Sequence, residues 1–87
     1  MDRISLHVLT GDGPVFEQLV EYVNLPTSFG SVGILAGHDT MLCAVEAGIL
    51  RCRWSGGEGR VQVSAGVASV EKNEVNVLVS TAKMLTD

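Results

Sequence analysis

The sequence predicts an all-β fold, an antiparallel β-sandwich of two packed sheets with about eight to ten short strands. Apolar and polar residues alternate with period two in almost every segment, and clusters of Gly, Pro, Asn or Asp recur between the segments. No segment has the apolar periodicity of a long helix. With 87 residues, 46% of them hydrophobic, the chain is large enough for one domain with one core.

The first strand begins at Ile4 and alternates until a turn at residues 10–14, where glycine and proline cluster. The next strand is predicted over residues 15–25. Its apolar residues change parity midway, which predicts a β-bulge near Gln18 or Leu19. Pro26 ends this strand, and a short extended piece flanked by turns follows.

Residues 41–45 are apolar at almost every position, so this strand is predicted to be covered on both faces. Gly48 ends it, and a strand with alternating sides follows. Its inward positions are Leu50, Cys52 and Trp54, and its outward positions are Arg51 and Arg53. Residues 55–59 are the plainest hairpin signal in the chain, because glycine adopts the positive φ that tight turns require.

The last strands follow in close succession, with residues 61–63, a turn at 64–66, a short strand at 68–70 and a clear alternation at 75–79. A few apolar side chains fall on the outward parity of their strands. They are Leu9, Ile49, Val67 and Leu78. Exposed apolar side chains in one patch would indicate an interface with another protein.

Charge limits the classes of partner. The formal net charge of −4 argues against a general binder of nucleic acid or anionic lipid, because such binding depends on clustered Lys and Arg. No apolar run approaches the ~18 residues that a membrane-spanning helix needs. Cys43 and Cys52 are too few for a disulfide framework and suit reduced, buried thiols. A partner must then be held by shape and apolar contact.

Residues 29–39 are the most informative segment, because three glycines interrupt a short apolar run that is followed by a histidine. The segment resembles the G-x-x-G-I-L-P-G-H-x-P-L signature of the epsilon subunit of F-type ATP synthases. The matching residues are Gly30, Gly33, Ile34, Leu35, Gly37 and His38. Ala36 and Thr40 stand where the family has prolines, so this turn is less fixed in φ.

The resemblance extends over about 80 residues in the same order and spacing, which alternation alone would not produce. Residues 6–16 are similar to the opening strand and turn of the family, and residues 23–27 to its v-x-L-P-T run. Residues 63–66 resemble v-S-G-G, and 75–82 resemble V-T-V-L-A-D-T-A. The family continues into two antiparallel helices, so residues 1–82 are predicted to form the sandwich and 83–87 a short tail where that helical domain would begin.

The resemblance implies a non-catalytic rotor subunit of the central stalk, which links the gamma subunit to the membrane c-ring and couples proton or sodium flow to ATP synthesis. Thr10, His38 and Cys43 match family positions on the gamma side, and Ser31 and Val32 match the loop that meets the c-ring. The resemblance implies no cofactor, metal, nucleic acid or small-molecule substrate, and no direct membrane insertion. It places the subunit peripherally on the cytoplasmic face of an energy-coupling membrane, a bacterial plasma membrane.

Gly30, Gly33 and Gly37 are assigned a structural role in the turn, and at least one of Gly33 and Gly37 is predicted to have positive φ. Two other classes of function stay open. One is a free-standing ligand-binding or enzymatic β-domain that uses loop 30–38, with His38 at the edge of a pocket. The other is an oligonucleotide-binding barrel, suggested by the arginines around Trp54.

A zinc site of His38, Cys43 and Cys52 has no recognised spacing, so both cysteines are assigned to the core. The glycine-rich segments 11–13 and 55–59 lack the lysine and the helix start of phosphate-binding loops, so they are assigned to hairpins.

Overall fold

The computed structural model describes residues 3–86, which form ten strands and no helix. The strands are β1 (Ile4–Thr10), β2 (Gly13–Val20), β3 (Tyr22–Thr27), β4 (Gly30–Leu35), β5 (Met41–Val45), β6 (Gly48–Trp54), β7 (Gly57–Val63), β8 (Gly66–Glu71), β9 (Glu74–Val79) and β10 (Ala82–Met84). β10 extends the folded strands to Met84, so residue 82, the predicted end of the sandwich, lies at the start of a strand.

The ten strands form two sheets of five, which confirms the predicted sandwich. Sheet A has the order β2-β1-β9-β8-β5, and sheet B has the order β10-β7-β6-β3-β4. One detail of the prediction was wrong, because β1 and β9 pair in parallel whereas the other strand pairs are antiparallel. This pairing joins the first and the last long strand of the chain at the centre of sheet A.

The predicted single strand over residues 15–25 is two strands in different sheets. β2 ends at Val20 in sheet A, and β3 begins at Tyr22 in sheet B. The change of parity therefore marks the crossing between sheets at Glu21, and the prediction of a bulge near Gln18 or Leu19 was wrong. A bulge does exist earlier in β2, where Val15 is the extra residue opposite β1.

The core lies between the two sheets and consists mainly of valine, isoleucine and leucine side chains. Each such side chain contributes roughly 1.5–3 kcal/mol when it is fully buried. Leu50 and Cys52 are buried and Trp54 packs against the core, while Arg51 and Arg53 are exposed, as the alternation predicted. The prediction for residues 41–45 was wrong, because β5 is an edge strand whose outward residues Leu42 and Ala44 are exposed.

Candidate functional site

Two turns of identical chemistry position exposed residues at β1–β2 and β3–β4. In the first, the hydroxyl of Thr10 donates to the carbonyl oxygen of Gly13 at 3.4 Å and accepts from the N–H of Asp12 at 3.2 Å. In the second, Thr27 donates to the carbonyl of Gly30 at 2.6 Å and accepts from the N–H of Phe29 at 3.2 Å. Such threonine turns fix the backbone at the loop tip.

The glycine following each of these turns has positive φ, 114° at Gly13 and 99° at Gly30. Gly37 has a φ of 81°, which confirms the prediction that at least one of Gly33 and Gly37 adopts this conformation. Gly33 is needed for a different reason. A Cβ atom there would lie 2.9 Å from the hydroxyl oxygen of Tyr22, whose ring covers the β4 backbone.

His38 lies in the loop that carries the chain from sheet B to sheet A. Its backbone N–H donates to the carbonyl of Leu35 at 3.2 Å, and its ring Nδ1 donates to the carbonyl of Asp39 at 2.8 Å. The N–H of Gly37 donates to Asn73 Oδ1 at 2.9 Å, which ties this loop to the β8–β9 turn. The half-buried imidazole is therefore held at the end of the sandwich where β1 begins.

The three residues matched to the gamma side are not brought together. Thr10 ends β1, and the His38 loop lies beside Asn73, whose carbonyl accepts from the N–H of Ser5 near the other end of β1. Cys43 lies midway along β5, and its half-buried side chain packs against the core. These residues mark a broad area of sheet A and its ends instead of a compact centre.

Both cysteines are free, and burial raises the pKa of each thiol above its ordinary value of 9.0. At Cys52 a backbone hydrogen bond involving Gly59 partly offsets the effect of burial on the pKa. A raised pKa keeps a thiol protonated and weakly nucleophilic at neutral pH.

The two residues matched to the c-ring side follow Gly30 near the start of β4, which is an edge strand of sheet B. Ser31 is exposed, and Val32 packs partly against the core. Beside them, Phe29 is 97% exposed at the tip of the threonine turn. The sequence reasoning missed Phe29. The signal was an aromatic residue at the tip position of a T-x-x-G turn, a position that points away from both strands.

A cavity of about 300 Å³ lies between this turn and β5. Its lining includes Phe29, Val32, Leu42 and Cys43, so it joins a residue matched to the c-ring side with one matched to the gamma side. Leu42 is 77% exposed. The two most exposed large apolar side chains among residues 3–86 thus line one pocket.

Four apolar residues form a continuous line across the outer face of sheet A, which we name the apolar row. Cross-strand pairing places Leu9 opposite Leu78, Leu78 opposite Val67, and Val67 opposite Ala44. The row crosses four strands and is about 14 Å wide. Leu78 is 52% exposed and Val67 46% exposed. Three of the four predicted outward residues are thereby confirmed as one patch, whereas Ile49 lies on sheet B opposite Gln62.

The surroundings of Trp54 and His38 bear on the two alternative functions, the oligonucleotide-binding barrel and the ligand-binding or enzymatic domain. Trp54 is partly buried on the core side of β6, where a Cβ at Gly57 would lie 2.9 Å from its indole and the centroid of the Phe16 ring is 6.2 Å away, so it is not displayed on the outer face with the arginines. Cavities near Trp54, Thr81 and Phe29 are not lined by His38. Within residues 3–86, no group of three or more His, Cys, Asp or Glu side chains could hold a metal ion. None of these residues forms a helix that is long and apolar enough to span a membrane.

A small two-sheet sandwich with an exposed apolar row and an exposed aromatic loop tip has the features of a protein-binding domain. The family model of the ATP synthase delta/epsilon chain beta-sandwich domain matches residues 3–84. The chain belongs to this family.

Relatives of known name agree with this assignment. The ATP synthase epsilon chain of Prochlorococcus marinus strain MIT 9211 is 39% identical over 84 residues, which are 97% of this chain and 62% of the relative. The epsilon chain of Parasynechococcus marenigrum strain WH8102 is 40% identical over 81 residues, 93% of this chain and 60% of the relative. The chain thus spans about three fifths of the length of these relatives.

Solved structures share the fold. A chain in the cryo-EM structure of the Euglena gracilis mitochondrial ATP synthase, OSCP/F1/c-ring in rotational state 1, superposes with a TM-score of 0.88 at 24% identity, over 97% of this chain and 54% of that chain. A chain of the Tetrahymena thermophila mitochondrial ATP synthase central stalk/c-ring has a TM-score of 0.75 at 17% identity, over 92% of this chain and 65% of that chain. At these identities the likeness establishes the sandwich.

Proposed function

We propose that this chain is the β-sandwich part of a central-stalk subunit in a rotary F-type ATP synthase. It binds the gamma subunit on one side and the c-ring on another, and it transmits rotation driven by proton or sodium flow. The role is mechanical and non-catalytic. Torque passes between neighbours only if the domain is stiff, and a close-packed core supplies that stiffness.

The apolar row is the observation that carries the proposal. Leu78 and Val67 are about half exposed at the centre of a strand-paired sheet, where a subunit that acts alone would gain solubility from polar side chains. Because the row spans four strands, it offers a broad and rigid surface to the gamma subunit. Thr10 and His38 lie at opposite ends of the same sheet and would contact the margins of that interface.

The β3–β4 turn is the proposed contact with the c-ring. Ser31 and Val32 follow the turn, and Phe29 projects from its tip beside the apolar cavity. An exposed aromatic residue of this kind is a common anchor in protein interfaces. In this arrangement the subunit is peripheral, on the cytoplasmic face of the energy-coupling membrane. We propose that this membrane is the bacterial plasma membrane. The bacterial relatives support that placement.

The proposal is tested by mixing the purified chain with the gamma subunit of Prochlorococcus marinus and following the mixture by size-exclusion chromatography. We expect a stable one-to-one complex. The complex should then be retained on an immobilised c-ring in detergent, and Phe29→Ser should reduce that retention about tenfold because an apolar anchor is lost. The neighbouring exposed residue provides the matched control, Ser28→Ala, which should be retained normally.

The two contacts are judged separately. If the chain does not comigrate with gamma, the rotor assignment fails. If Phe29→Ser and Ser28→Ala are retained equally well, the turn is not the c-ring contact. Loss of gamma binding in Phe29→Ser would instead place the turn on the gamma side.

A further inference from the structure

The edge strands of the sandwich differ in how well they are protected from pairing with a further strand. Within residues 3–86, β2 and β5 end sheet A, and β10 and β4 end sheet B. β2 carries Pro14, Glu17 and a bulge at Val15, and β10 is only three residues long and contains a lysine. Charges, prolines, bulges and short length all hinder edge pairing. β4 and β5 contain no charged residue and no proline, and they pair with their neighbours without a bulge.

The direction of the backbone groups of β4 follows from Pro26 on β3. Pro26 has no N–H, and its carbonyl accepts from the N–H of Glu46 at 2.9 Å. Pro26 and its partner Ser31 therefore form a non-hydrogen-bonded pair, and such pairs alternate with bonded ones along an antiparallel ladder. The N–H and C=O groups of Ser31 and Gly33 thus point away from β3. Both residues are exposed, and no strand within residues 3–86 pairs with β4 on that side.

The apolar cavity of about 300 Å³ lies beside the same edge. Val32 of β4 and residues 42–44 of β5 are among its lining, so it lies between the unprotected edges of the two sheets. A strand added to β4 would hydrogen-bond to Ser31 and Gly33 and would turn every second side chain inward, past Val32. One extended segment would therefore satisfy the unpaired backbone groups and fill the cavity with an apolar side chain.

The β4 strand is held in shape by contacts within the domain. The hydroxyl of Thr27 donates to the carbonyl of Gly30 at 2.6 Å, which fixes the start of the strand. The Tyr22 ring lies over Gly33, where a Cβ atom would be 2.9 Å from the phenol oxygen, and Asn24 Nδ2 donates to that oxygen at 3.1 Å. A preformed edge lowers the entropy cost of binding a segment.

We propose that β4 is a docking edge for an extended, uncharged segment of a protein partner, which pairs antiparallel with Ser31 and Gly33 and places an apolar side chain in the cavity. Main-chain hydrogen bonds supply affinity in this mode of binding, and pockets for alternate side chains supply specificity. Antiparallel pairing is slightly more stable per residue than parallel pairing. The inference goes beyond the rotor assignment and does not depend on binding of gamma or the c-ring.

A second copy of this chain fits the edge less well than a separate segment does. The inward side chains of its own β4, Val32 and Ile34, pack against its own core, and Gly30 and Gly33 have no side chain. Two copies joined through β4 would therefore leave the cavity unfilled. A charged segment is also unfavourable, because it would bring an unpaired charge against the apolar lining.

The test uses an end-capped, fluorescein-labelled octapeptide of alternating serine and leucine, titrated with the chain and followed by fluorescence anisotropy. We expect saturable binding. In the saturated complex, amide hydrogen exchange measured by NMR should slow at least about tenfold at Ser31 and Gly33, because their N–H groups become hydrogen-bonded. The amides of β5, the other unprotected edge, provide the matched control and should slow by less than about twofold.

Two matched comparisons separate the backbone contribution from that of the cavity. The octapeptide N-methylated at its serine amides should not bind, because those amides point toward β4 when the leucines face inward. The isomer methylated at its leucine amides should bind within about threefold of the parent peptide, since those amides point away from β4. Leu42→Ser removes a cavity wall and should weaken binding about tenfold. Leu19→Ser changes an exposed leucine on the opposite edge strand of sheet A and should stay within about twofold.

The proposal is overturned by absence of saturable binding, by equal binding of the two methylated isomers, or by equal losses in Leu42→Ser and Leu19→Ser. Slowed exchange along β5 instead of β4 would also overturn it. So would protection of Ser31 and Gly33 by dimerisation of the chain without the octapeptide, because a second copy would then occupy the edge.

Discussion

The two sheets are alike on their inner faces and opposite on their outer ones. Both bury aliphatic side chains in one core, yet sheet A presents the apolar row with three glutamates and no Lys or Arg, whereas sheet B presents four cations with one glutamate. Folding needs only the inner faces, since exposed substitutions away from special features change stability little. The contrast between the outer faces is therefore available for recognition.

The first prediction tests whether the two sheets differ in how well a Cβ atom is accommodated at the glycine that opens a strand. Gly66 opens β8 in sheet A, and a Cβ atom there would lie 2.2 Å from the Leu78 carbonyl oxygen and 2.9 Å from the Val79 Cα. Both atoms belong to the backbone of β9, a central strand that cannot move alone. Gly66→Ala should lower the free energy of unfolding by about 3 kcal/mol, and the Tm measured by circular dichroism by more than about 10 °C.

Gly48 provides the matched control in sheet B, because it opens β6 in the same way. A Cβ atom there would lie 3.2 Å from the Cβ of Pro26, a contact that a small shift relieves. Gly48→Ala should change stability by less than about 1 kcal/mol, since alanine also lowers the entropy of the unfolded chain. Equal losses in the two variants would show that steric contact with the β9 backbone is not the cause.

The second prediction tests which of the two outer faces binds the gamma subunit. Leu78→Glu places a charge in the middle of the apolar row, where a partner would bury it without a counter-ion, and gamma binding should weaken at least about thirtyfold. The free chain should fold normally, because Leu78 is half exposed. Titration calorimetry with gamma measures the first effect, and thermal unfolding measures the second.

Gln62→Glu introduces the same side chain on the outer face of sheet B and should leave gamma binding within about twofold. If Gln62→Glu weakens binding as strongly as Leu78→Glu, gamma contacts sheet B or responds to overall charge. The assignment of the two faces would then have to be reversed or abandoned.

Much of the fold was predictable because period-two alternation records which face of a strand is buried. It predicted the inward side of β6 and the turns around it, and these agree with the structure. It did not predict which sheet each strand joins, because alternation is the same in either sheet. The parity change near Glu21 therefore resembled a bulge, and the parallel pairing of β1 with β9 left no local signal in the sequence.

The candidate site was predictable only in part. Outward parity identified Leu9, Val67 and Leu78, but their alignment in one row depends on strand order and register, which only the structure supplies. The opposition of Arg51 and Arg60 across the β6–β7 hairpin likewise depends on strand register, which the turn signal at residues 55–59 does not fix alone. Phe29 could have been found from its turn chemistry, which repeats the pattern of the first hairpin.

The smallest predicted effect concerns the margin of sheet A. His38→Ala removes one exposed hydrogen bond, from Nδ1 to the Asp39 carbonyl, so the chain should fold with stability changed by less than about 1 kcal/mol. If the gamma interface extends from the apolar row to this loop, His38→Ala should lower the affinity for gamma about fivefold. Asp39→Ala should lower that affinity less, because it keeps the backbone carbonyl to which His38 donates. Unchanged affinity for His38→Ala would show that gamma contacts only the strands of sheet A. The edge of the gamma interface would then lie between sheet A and the loop that joins it to sheet B.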